Sequence, residues 1–463
     1  MKKTANQLLT RVILAPMFPL VLQSMMLLAF LAILYGGYGI STEDAAFAKI
    51  LRNTNLSNLL IWSYWWPLII VGAVLLGRVW CTVCPMELVS YLASRVGLRC
   101  PVPVVMKSGW IMTVFYIAIV LIGVHTLAIH RQPHRMAIYM LVLLVTALIC
   151  GLVFQKRAFC SYVCPIGHLL GLYSVLSWFK WGTVDARVCG DCHTKDCIRK
   201  DNHYRLTGRA CTSNLNPAAI NDDRECLLCT QCAKVCPNQN LTLFWRRPWE
   251  GVIRQAALKH AHILFVMIVC GFVVYEILSE WSESKVILTW IPNAIVQTCH
   301  ISAPFNGLVS ALVMFVGYPT ILYSGVGLLS RILSPTSPNG VFKALSLLLI
   351  PTMAAAHLLK ACLKMASRIP YWKYVFTDPL GVETARQISD KTLVLDKTIP
   401  NAIQPGLSVL MIVALLVALF LSGMIVRRSQ TFKELEKGAK SSVIIGALLY
   451  WAVFVVTIIL WRW

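Results

Sequence analysis

Four cysteines stand close together near the middle of the chain: Cys226, Cys229, Cys232 and Cys236, the last followed by Pro237. Their spacing, C-x2-C-x2-C-x3-C-P, is typical of bacterial [4Fe–4S] ligation, in which three thiolates bind one cluster and the fourth binds a second. A structural zinc site is the alternative for grouped cysteines, but it usually has two C-x2-C pairs set farther apart. The spacing therefore predicts iron bound through thiolates, and with it electron transfer.

The ligands of the second cluster are expected just upstream. Cys189, Cys192 and Cys197 form a C-x2-C-x4-C segment, whose second gap is longer than usual, and Cys211 follows without an adjacent proline. Because the fourth cysteine of such a run ligates the other cluster, two mixed sets are predicted. The first [4Fe–4S] set is Cys189, Cys192, Cys197 and Cys236, and the second is Cys211, Cys226, Cys229 and Cys232.

Two further cysteine pairs repeat a pattern nearer the N-terminus. One is Arg78-Val-Trp-Cys81-Thr-Val-Cys84-Pro85, and the other is Arg157-Ala-Phe-Cys160-Ser-Tyr-Val-Cys164-Pro165. Each follows a predicted membrane helix, and a helical hairpin between them brings both turns to one face, as expected of an internal duplication. The repeat favours a third redox site over cysteines that merely pack. It leaves open whether that site is a cluster or a reversible dithiol.

The composition predicts a membrane protein. The 463 residues are 57% hydrophobic and 13% charged, which excludes an ordinary soluble domain. A net charge of +22 is explained by basic residues in the loops on the inner side of a membrane, so no nucleic-acid partner is predicted. Of the seventeen cysteines, at least eight stand at cluster spacings in a segment rich in lysine and arginine, which indicates a reducing compartment rather than a disulfide framework.

Nine apolar stretches are long enough, or nearly so, to cross a bilayer. The predicted spans are 17–38, 59–76, 110–129, 136–154, 263–278, 308–328, 344–362, 407–426 and 443–460, of which 263–278 is the shortest. The predicted fold is an α-helical integral membrane protein with an inserted bacterial-type 2[4Fe–4S] ferredoxin domain. Its predicted parts are a four-helix region (1–179), the ferredoxin domain (180–246) and a five-helix region (247–463).

Orientation follows from the positive-inside rule. Basic residues concentrate on one side, including Arg78, Arg95, Arg157 and the many between Lys180 and Lys259. We expect a multi-pass protein of the bacterial inner membrane, in contact with lipid, with the ferredoxin domain in the cytoplasm and the C-terminus outside. The first residues, Met1-Lys-Lys, precede no cleavage site and are predicted to be the cytoplasmic flank of an uncleaved first helix.

The paired cysteine–proline turns followed by a two-cluster segment resemble the membrane polyferredoxins of the NapH and NosR type. The resemblance covers about residues 56–245, and the C-x2-C-P spacing of the first turn is one residue shorter than the C-x3-C-P of that family. It implies a quinol dehydrogenase membrane component that exchanges electrons with quinone and with a partner redox enzyme. Related proteins accompany methylamine oxidation and copper-oxidase assembly.

Other residues are candidates for proton or haem chemistry. His125 and His357 lie at similar depth in their predicted spans, but haem b is disfavoured because isolated intramembrane histidines also bond to neighbouring helices. His168, three residues after Pro165, and Glu87, two residues after Pro85, are candidate proton acceptors for quinol oxidation. Glu276 is a carboxylate inside a predicted span.

Two functions follow from these patterns. The first is electron transfer between the quinone pool and a partner redox enzyme. The alternative is an assembly or metal-reducing factor that delivers cytoplasmic electrons to an external metal or cofactor, for which Cys299-His300 is the sequence indication. The direction of electron flow and the catalytic residues are not fixed by these patterns.

Overall fold

The computed structural model describes residues 12–213, 215–220, 224–253, 258–335 and 337–462. The prediction for the N-terminal flank at residues 1–11 lies outside the described residues. Within the described part, long helices dominate, and one small two-stranded sheet accompanies the segment that carries most of the cysteines.

The long apolar helices confirm the predicted α-helical membrane architecture. Eight helices of the described chain are long and apolar enough to cross a membrane: Leu20–Gly37, Leu56–Leu76, Pro133–Val153, His260–Leu278, Phe305–Leu333, Pro338–Val375, Thr398–Arg428 and Lys437–Leu460. They coincide with eight of the nine predicted spans. The ninth, Trp110–Thr126, is apolar but shorter than the others, so this helix, and not the predicted 263–278, is the shortest.

Several of these helices contain a wider π-helical turn. The π segments are Leu60–Trp65 after Leu56–Leu59 and before Trp66–Leu76, Ile119–Thr126 after Trp110–Ala118, and Val313–Gly317 between Phe305–Leu312 and Tyr318–Leu333. A π turn bonds each N–H five residues back rather than four and often marks a functional position. Prolines inside Pro338–Ser367 and Thr398–Arg428, at Pro351 and Pro405, remove a backbone donor from each of those helices.

Shorter elements fill the connections. The short α-helices are Ala45–Thr54, Val79–Val83, Pro85–Val96, Pro165–Ser174, Ala186–Gly190, Gln231–Lys234, Pro248–Ile253, Ser282–Thr298, Trp372–Val375, Val382–Ser389 and Gln430–Lys433. Phe159–Val163 is a fourth π-helix, and Val104–Ser108, Lys200–Asn202, Pro217–Ala219 and Ile369–Tyr371 are 3-10 turns. The 17-residue helix Ser282–Thr298 lies between two predicted spans and is not among them, because its apolar residues are interrupted by polar ones.

The two strands close the cysteine-rich segment. β1 (Phe179–Thr183) pairs antiparallel with β2 (Leu241–Trp245), with Phe179 opposite Trp245 and Thr183 opposite Leu241. Buried residues of both strands and of the helix Gln231–Lys234 form a small apolar core, which the cysteines of the segment flank. The chain between the strands has little regular structure, so this core and the thiol sites must hold it in place.

The chain divides into two compact units, and the division cuts through several long helices. The first unit comprises residues 1–35, 71–112 and 138–255, and the second comprises 36–70, 113–137 and 256–463. All the cysteines of the three predicted sets lie in the first unit. The division into 1–179, 180–246 and 247–463 follows the sequence rather than these contacts and stays a prediction.

Within the first unit, a close helix contact positions the repeated turns. A Cβ at Gly151, near the end of the helix Pro133–Val153, would lie 2.4 Å from the main-chain oxygen of Ser90 in the helix Pro85–Val96. Glycine is therefore needed for the two backbones to approach. The helix that precedes the second turn is thereby packed against the helix that follows the first.

Candidate iron–sulfur centres

The first predicted cysteine set lines one cavity. Cys189, Cys192, Cys197 and Cys236 surround a space of about 110 Å3, together with Asn240 and other residues of the same segment. The Asn240 Nδ2 donates a hydrogen bond to Cys189 Sγ at 3.3 Å. A side-chain donor to a sulfur stabilises its thiolate form and influences the potential of a cluster bound there.

Hydrogen bonding and burial act oppositely on two thiols of this set. The backbone N–H of Lys195 and the hydroxyl of Thr194 lower the pKa of Cys192. Burial, and then the charges of Cys236 and Cys189, raise the pKa of Cys197 to about 11. Metal ligands are thiolates, so metal binding at this set releases a proton from a buried thiol such as Cys197. The hydrogen bonds to Cys192 already favour its thiolate form.

The second predicted set also lines a single cavity. Cys211, Cys226, Cys229 and Cys232 surround a smaller space of about 30 Å3. The indole Nε1 of Trp181, on β1, donates to Cys232 Sγ at 3.2 Å. Burial, followed by the charges of Cys229 and Cys211, raises the pKa of Cys232. The iron ions of a bound cluster would reduce this repulsion between thiolates.

The first two sets are neighbours in this unit. The backbone N–H of Cys211 donates to the carbonyl oxygen of Cys197 at 2.8 Å, which joins one set to the other. Cys232 lies within the short helix Gln231–Lys234 and Cys236 follows the helix by two residues, so this short stretch of chain contributes to both cavities. This is the crossed arrangement that the C-x2-C-x2-C-x3-C-P spacing predicts.

The cysteines of the two cysteine–proline turns lie within electrostatic reach of one another. Burial raises the pKa of Cys84, and the charges of Cys160, Cys81 and Cys164 raise it further. Burial, with the charge of Cys160, raises the pKa of Cys164 to about 12. Thiol–disulfide exchange and metal ligation both need thiolates, so these raised pKa values are compatible with either of the two redox sites that the sequence left open.

Each turn presents its second cysteine in the same way. Cys84 (φ −66°, ψ 131°) and Cys164 (φ −64°, ψ 111°) are extended, and the following proline begins a helix. Proline fits that first helical position because its fixed φ suits the helix and its missing N–H is not needed there. At the second turn, the N–H of Gly167 donates to Cys164 Sγ at 3.3 Å.

Glu87 lies in a buried charge network beside these turns. Its Oε1 is 3.0 Å from Arg157 Nε and 2.8 Å from Arg209 Nη2, and all three side chains are at most 4% exposed. Gln23 Nε2 also donates to the carboxylate, and the Arg209 guanidinium stacks on the ring of Tyr91, 3.7 Å from its centroid. Glu87 was predicted as a candidate proton acceptor, and the structure places it as the shared partner of two guanidiniums.

Arg157 connects the turns with the second cysteine set. Burial lowers its pKa, but the charge of Glu87, and then those of Cys160 and Cys229, outweigh burial and raise it. The hydroxyl of Thr82, between Cys81 and Cys84, donates to the carbonyl oxygen of Leu227. Thr82 of the first turn therefore contacts the loop that carries Cys226 and Cys229 directly.

Arg78 makes an equivalent contact. Its Nη1 donates to the main-chain oxygen of Arg224 at 2.6 Å, and its charge acts on Cys164. Sequence analysis did not assign a role to Arg78, Arg157 or Arg209. The available signal was an arginine three residues before the first cysteine of both turns.

The remaining candidates lie elsewhere. His168 is buried on the helix Pro165–Ser174. In the second unit, the His125 ring contacts Phe315 and Tyr275, and His357 contacts Phe272, which in turn contacts Phe315. Phenyl rings therefore accompany both histidines in the packing, as they would core residues.

Two other polar candidates are in the second unit. Glu276 Oε2 is 3.5 Å from Lys360 Nζ, which also contacts Glu280, so the intramembrane carboxylate has a partner that the sequence did not suggest. Cys299 is exposed at the end of the helix Ser282–Thr298, and His300 is exposed beside it. No third ligand joins them in the described part of the chain.

The residues present suit clusters better than single ions. Among the described residues, no group of three or more histidine, cysteine or acidic side chains converges as closely as one ion requires. A tetrahedral zinc site would place its sulfurs about 3.8 Å apart, given a Zn–S distance of about 2.3 Å. In a cubane cluster each thiolate binds a different iron, so four thiols spaced around a cavity fit that group.

Comparison with known proteins points to the same chemistry. The family model described as "4Fe-4S binding domain" matches residues 58–103 and 136–183, and each match contains one cysteine–proline turn. An uncharacterised protein of Methanocaldococcus jannaschii, MJ0749, is 28% identical over 173 residues, which are 36% of this chain and 64% of that protein. Protein NirI of Paracoccus denitrificans is 27% identical over 192 residues, which are 37% of this chain and 26% of NirI.

These similarities are partial. The chain spans less than two thirds of the length of either relative, and no solved structure matches it. The matches to the 4Fe–4S model, the similarity to NirI and the apolar helices agree on one statement. The chain is a membrane iron–sulfur protein.

Proposed function

We propose that this protein passes electrons between the quinone pool and a partner redox enzyme, with three [4Fe–4S] clusters as its cofactors. The observation that carries the proposal is the grouping of twelve thiols into three neighbouring sets within one compact unit. A [4Fe–4S] cluster, when bound, accepts and returns one electron. What the chain itself supplies is the position, spacing and electrostatic environment of each cluster.

The three sets form a sequence. The first set contacts the second through the Cys211–Cys197 backbone hydrogen bond. The loop of the second set contacts the first turn through the hydrogen bond from Thr82 to the Leu227 carbonyl oxygen. Arg157 interacts electrostatically with Cys160 of the second turn and with Cys229 of the second set. Such an order suits a path with two ends, one at the turns and one at the half-buried Cys192.

The turns are the proposed end for quinone. Cys81 follows the helix Leu56–Leu76 by five residues, and Cys160 follows Pro133–Val153 by seven, so the third set lies where two apolar helices end. A lipid-soluble carrier reaches a protein at that level. The partner redox enzyme would dock at the opposite end, near Cys189 and Cys192, on the side that we propose to be cytoplasmic because its loops are basic.

The proposed type is the NapH and NosR polyferredoxins, as a quinol dehydrogenase component in the bacterial inner membrane. The two matched 4Fe–4S segments support it, because they coincide with the turns that carry the resemblance. The partial similarity to NirI agrees with a membrane iron–sulfur protein of this kind. The external metal-reducing alternative rests on Cys299 and His300 alone.

The experiment is anaerobic purification followed by iron and sulfide analysis and an EPR-monitored reduction with a quinol analogue. Three cubanes correspond to about twelve irons and twelve sulfides per chain, and two correspond to about eight. We expect about twelve, with signals that grow when the quinol analogue is added. The matched control is Cys270→Ser, which removes a buried thiol outside the three sets and should leave both measurements unchanged.

Each outcome has a distinct meaning. About eight irons would leave electron transfer in place and remove the cluster at the turns. If the clusters give EPR signals on reduction with dithionite but none on reduction with the quinol analogue, quinol is excluded as the electron donor. Zinc in place of iron would exclude the proposal as a whole.

A further inference from the structure

A cationic cavity lies beside the second cysteine–proline turn. Its volume is about 210 Å3, and its polar lining consists of three basic side chains, three hydroxyl side chains and one amide: Lys107, Lys156, Arg157, Ser161, Tyr162, Thr212 and Gln155. No carboxylate is among the residues that line it. Three positive charges facing one small volume create a potential that favours an anion.

Arg157 distinguishes this cavity from an ordinary basic surface. The side chain is 1% exposed, and its Nη2 has no hydrogen-bond partner among the described residues. An unsatisfied donor of a buried guanidinium is costly, and a planar guanidinium is well matched to phosphate oxygens. The ion pair of Arg157 Nε with Glu87 holds the guanidinium in place without occupying Nη2.

The surrounding residues are fixed in position. Lys156 has a φ of 61°, in the left-handed region that most residues avoid, and this directs the chain from the helix Pro133–Val153 into the turn. Burial, and then the charges of Lys200 and Lys107, lower the pKa of Lys156, while the charge of Cys211 opposes them. A bound anion would relieve that crowding of positive charge.

We propose that this cavity binds a phosphate-type anion. The helix Pro133–Val153 is long and apolar enough to cross the bilayer and ends two residues before Gln155, which also lines the cavity. The cavity therefore lies at the level of phospholipid headgroups, where basic pockets beside membrane helices bind anionic lipids. A headgroup and a free phosphate share the same chemistry, and the experiment separates them.

The test uses the full chain, purified with its iron and stripped of lipid in a neutral detergent. The probes are inorganic phosphate, dihexanoyl-phosphatidylglycerol and the zwitterionic dihexanoyl-phosphatidylcholine. Affinity is measured from the concentration dependence of the thermal unfolding midpoint, since a ligand that binds the folded state raises it. We expect phosphatidylglycerol to bind about tenfold or more tightly than phosphatidylcholine.

The decisive variants are Lys107→Gln and Lys156→Gln, alone and together. Each should weaken the affinity for phosphatidylglycerol about fivefold, because a single lysine near an anionic headgroup increases the affinity by about that factor. Lys433→Gln is the matched control, since it removes one exposed charge outside the cavity and should leave the affinity unchanged.

The outcomes identify the bound anion or exclude the proposed site. Binding of phosphatidylglycerol without inorganic phosphate identifies a lipid headgroup, and binding of inorganic phosphate at comparable concentration identifies the free anion. The proposal is wrong if no probe binds, if phosphatidylcholine binds as tightly as phosphatidylglycerol, or if the double variant binds like Lys433→Gln.

Discussion

The two cysteine–proline turns reach the same arrangement with different numbers of residues. The first has two residues between its cysteines and follows an α-helical course over Val79–Val83, whereas the second has three and forms a π-helix over Phe159–Val163. A π turn accommodates one additional residue. Both turns then end in an extended cysteine followed by a proline-initiated helix. The shorter spacing of the first turn therefore does not set it apart chemically.

The same comparison shows where the turns differ. Arg157 of the second turn pairs with Glu87, two residues after Pro85 of the first. The position two residues after Pro165 is Gly167, and Arg78 of the first turn lies against it. Each arginine thus contacts the opposite turn, but among the described residues only Arg157 forms an ion pair with a carboxylate. We infer that the cysteines, which are repeated in both turns, bind the same cluster. Glu87 and Gly167, which occupy the same position in the two turns but differ in charge, give the turns different electrostatic environments.

The largest expected effect tests whether the cysteines of both turns bind one cluster. Cys84→Ser and Cys164→Ser should each abolish the cluster at the turns and lower iron by about four of about twelve per chain. The loss should be equal for the two variants, because both cysteines hold the same backbone conformation. Iron and sulfide analysis with EPR measures it.

The matched control for both variants is Cys150→Ser, a buried cysteine on the helix Pro133–Val153 that belongs to no set. It should retain all the iron. If Cys84→Ser keeps about twelve irons while Cys164→Ser loses four, the turns are not equivalent and the π-helix does not compensate for the difference in spacing.

The second prediction concerns the carboxylate that only the first turn has. Glu87→Gln preserves shape but leaves Arg157 and Arg209 buried without the carboxylate that they share. Removing one member of such a network costs about 3–5 kcal/mol, measurable as a lowered free energy of unfolding in denaturant. Glu43→Gln, at an exposed acid, is the control. A loss below about 1 kcal/mol would mean that the network is solvated in the protein.

The sequence predicted the groups that obey spacing rules and missed those that do not. Ligand sets such as Cys189 with Cys236 follow from the crossed ferredoxin pattern, and the apolar spans follow from composition. The pairing of Glu87 with Arg209 joins residues 122 positions apart, and no local pattern records it. The π-helix at Phe159–Val163 could likewise not be predicted, because no residue in this segment distinguishes a π turn from an α turn.

The third prediction compares the crossed arginines. Removing a positive charge beside a redox centre disfavours its more negative, reduced form, so Arg78→Gln and Arg157→Gln should both lower the potential of the cluster at the turns. We expect shifts on the order of tens of millivolts, where about 1.4 kcal/mol equals about 59 mV for one electron. An EPR-monitored redox titration measures them.

Stability separates the two arginine variants. Arg157→Gln should also lower the free energy of unfolding, because Glu87 keeps one buried partner instead of two. Arg78→Gln loses a hydrogen bond to the Arg224 carbonyl, worth about 1 kcal/mol. Equal losses of stability would contradict the asymmetry between the turns, and an unchanged potential in both variants would place these charges too far from the cluster to act on it.

The smallest expected effect is at the glycine that replaces the carboxylate. A Cβ at Gly167 would lie 2.9 Å from Arg78 Nη2, the end of a flexible side chain, whereas a Cβ at Gly171 in the same helix would lie 3.0 Å from the main-chain oxygen of Arg224. Gly167→Ala should therefore displace the guanidinium slightly while gaining up to about 1 kcal/mol of helix propensity. Its unfolding free energy should stay within about 1 kcal/mol of the parent.

Gly171→Ala is the matched variant for that measurement. It gains the same helix propensity but meets a backbone atom that moves only if the 224–229 loop moves, so it should be the less stable of the two. If Gly167→Ala is destabilised as much as Gly171→Ala, then Arg78 is held as rigidly as the main chain. The two turns would then constrain their arginines equally, and the electrostatic difference between them would rest on Glu87 alone.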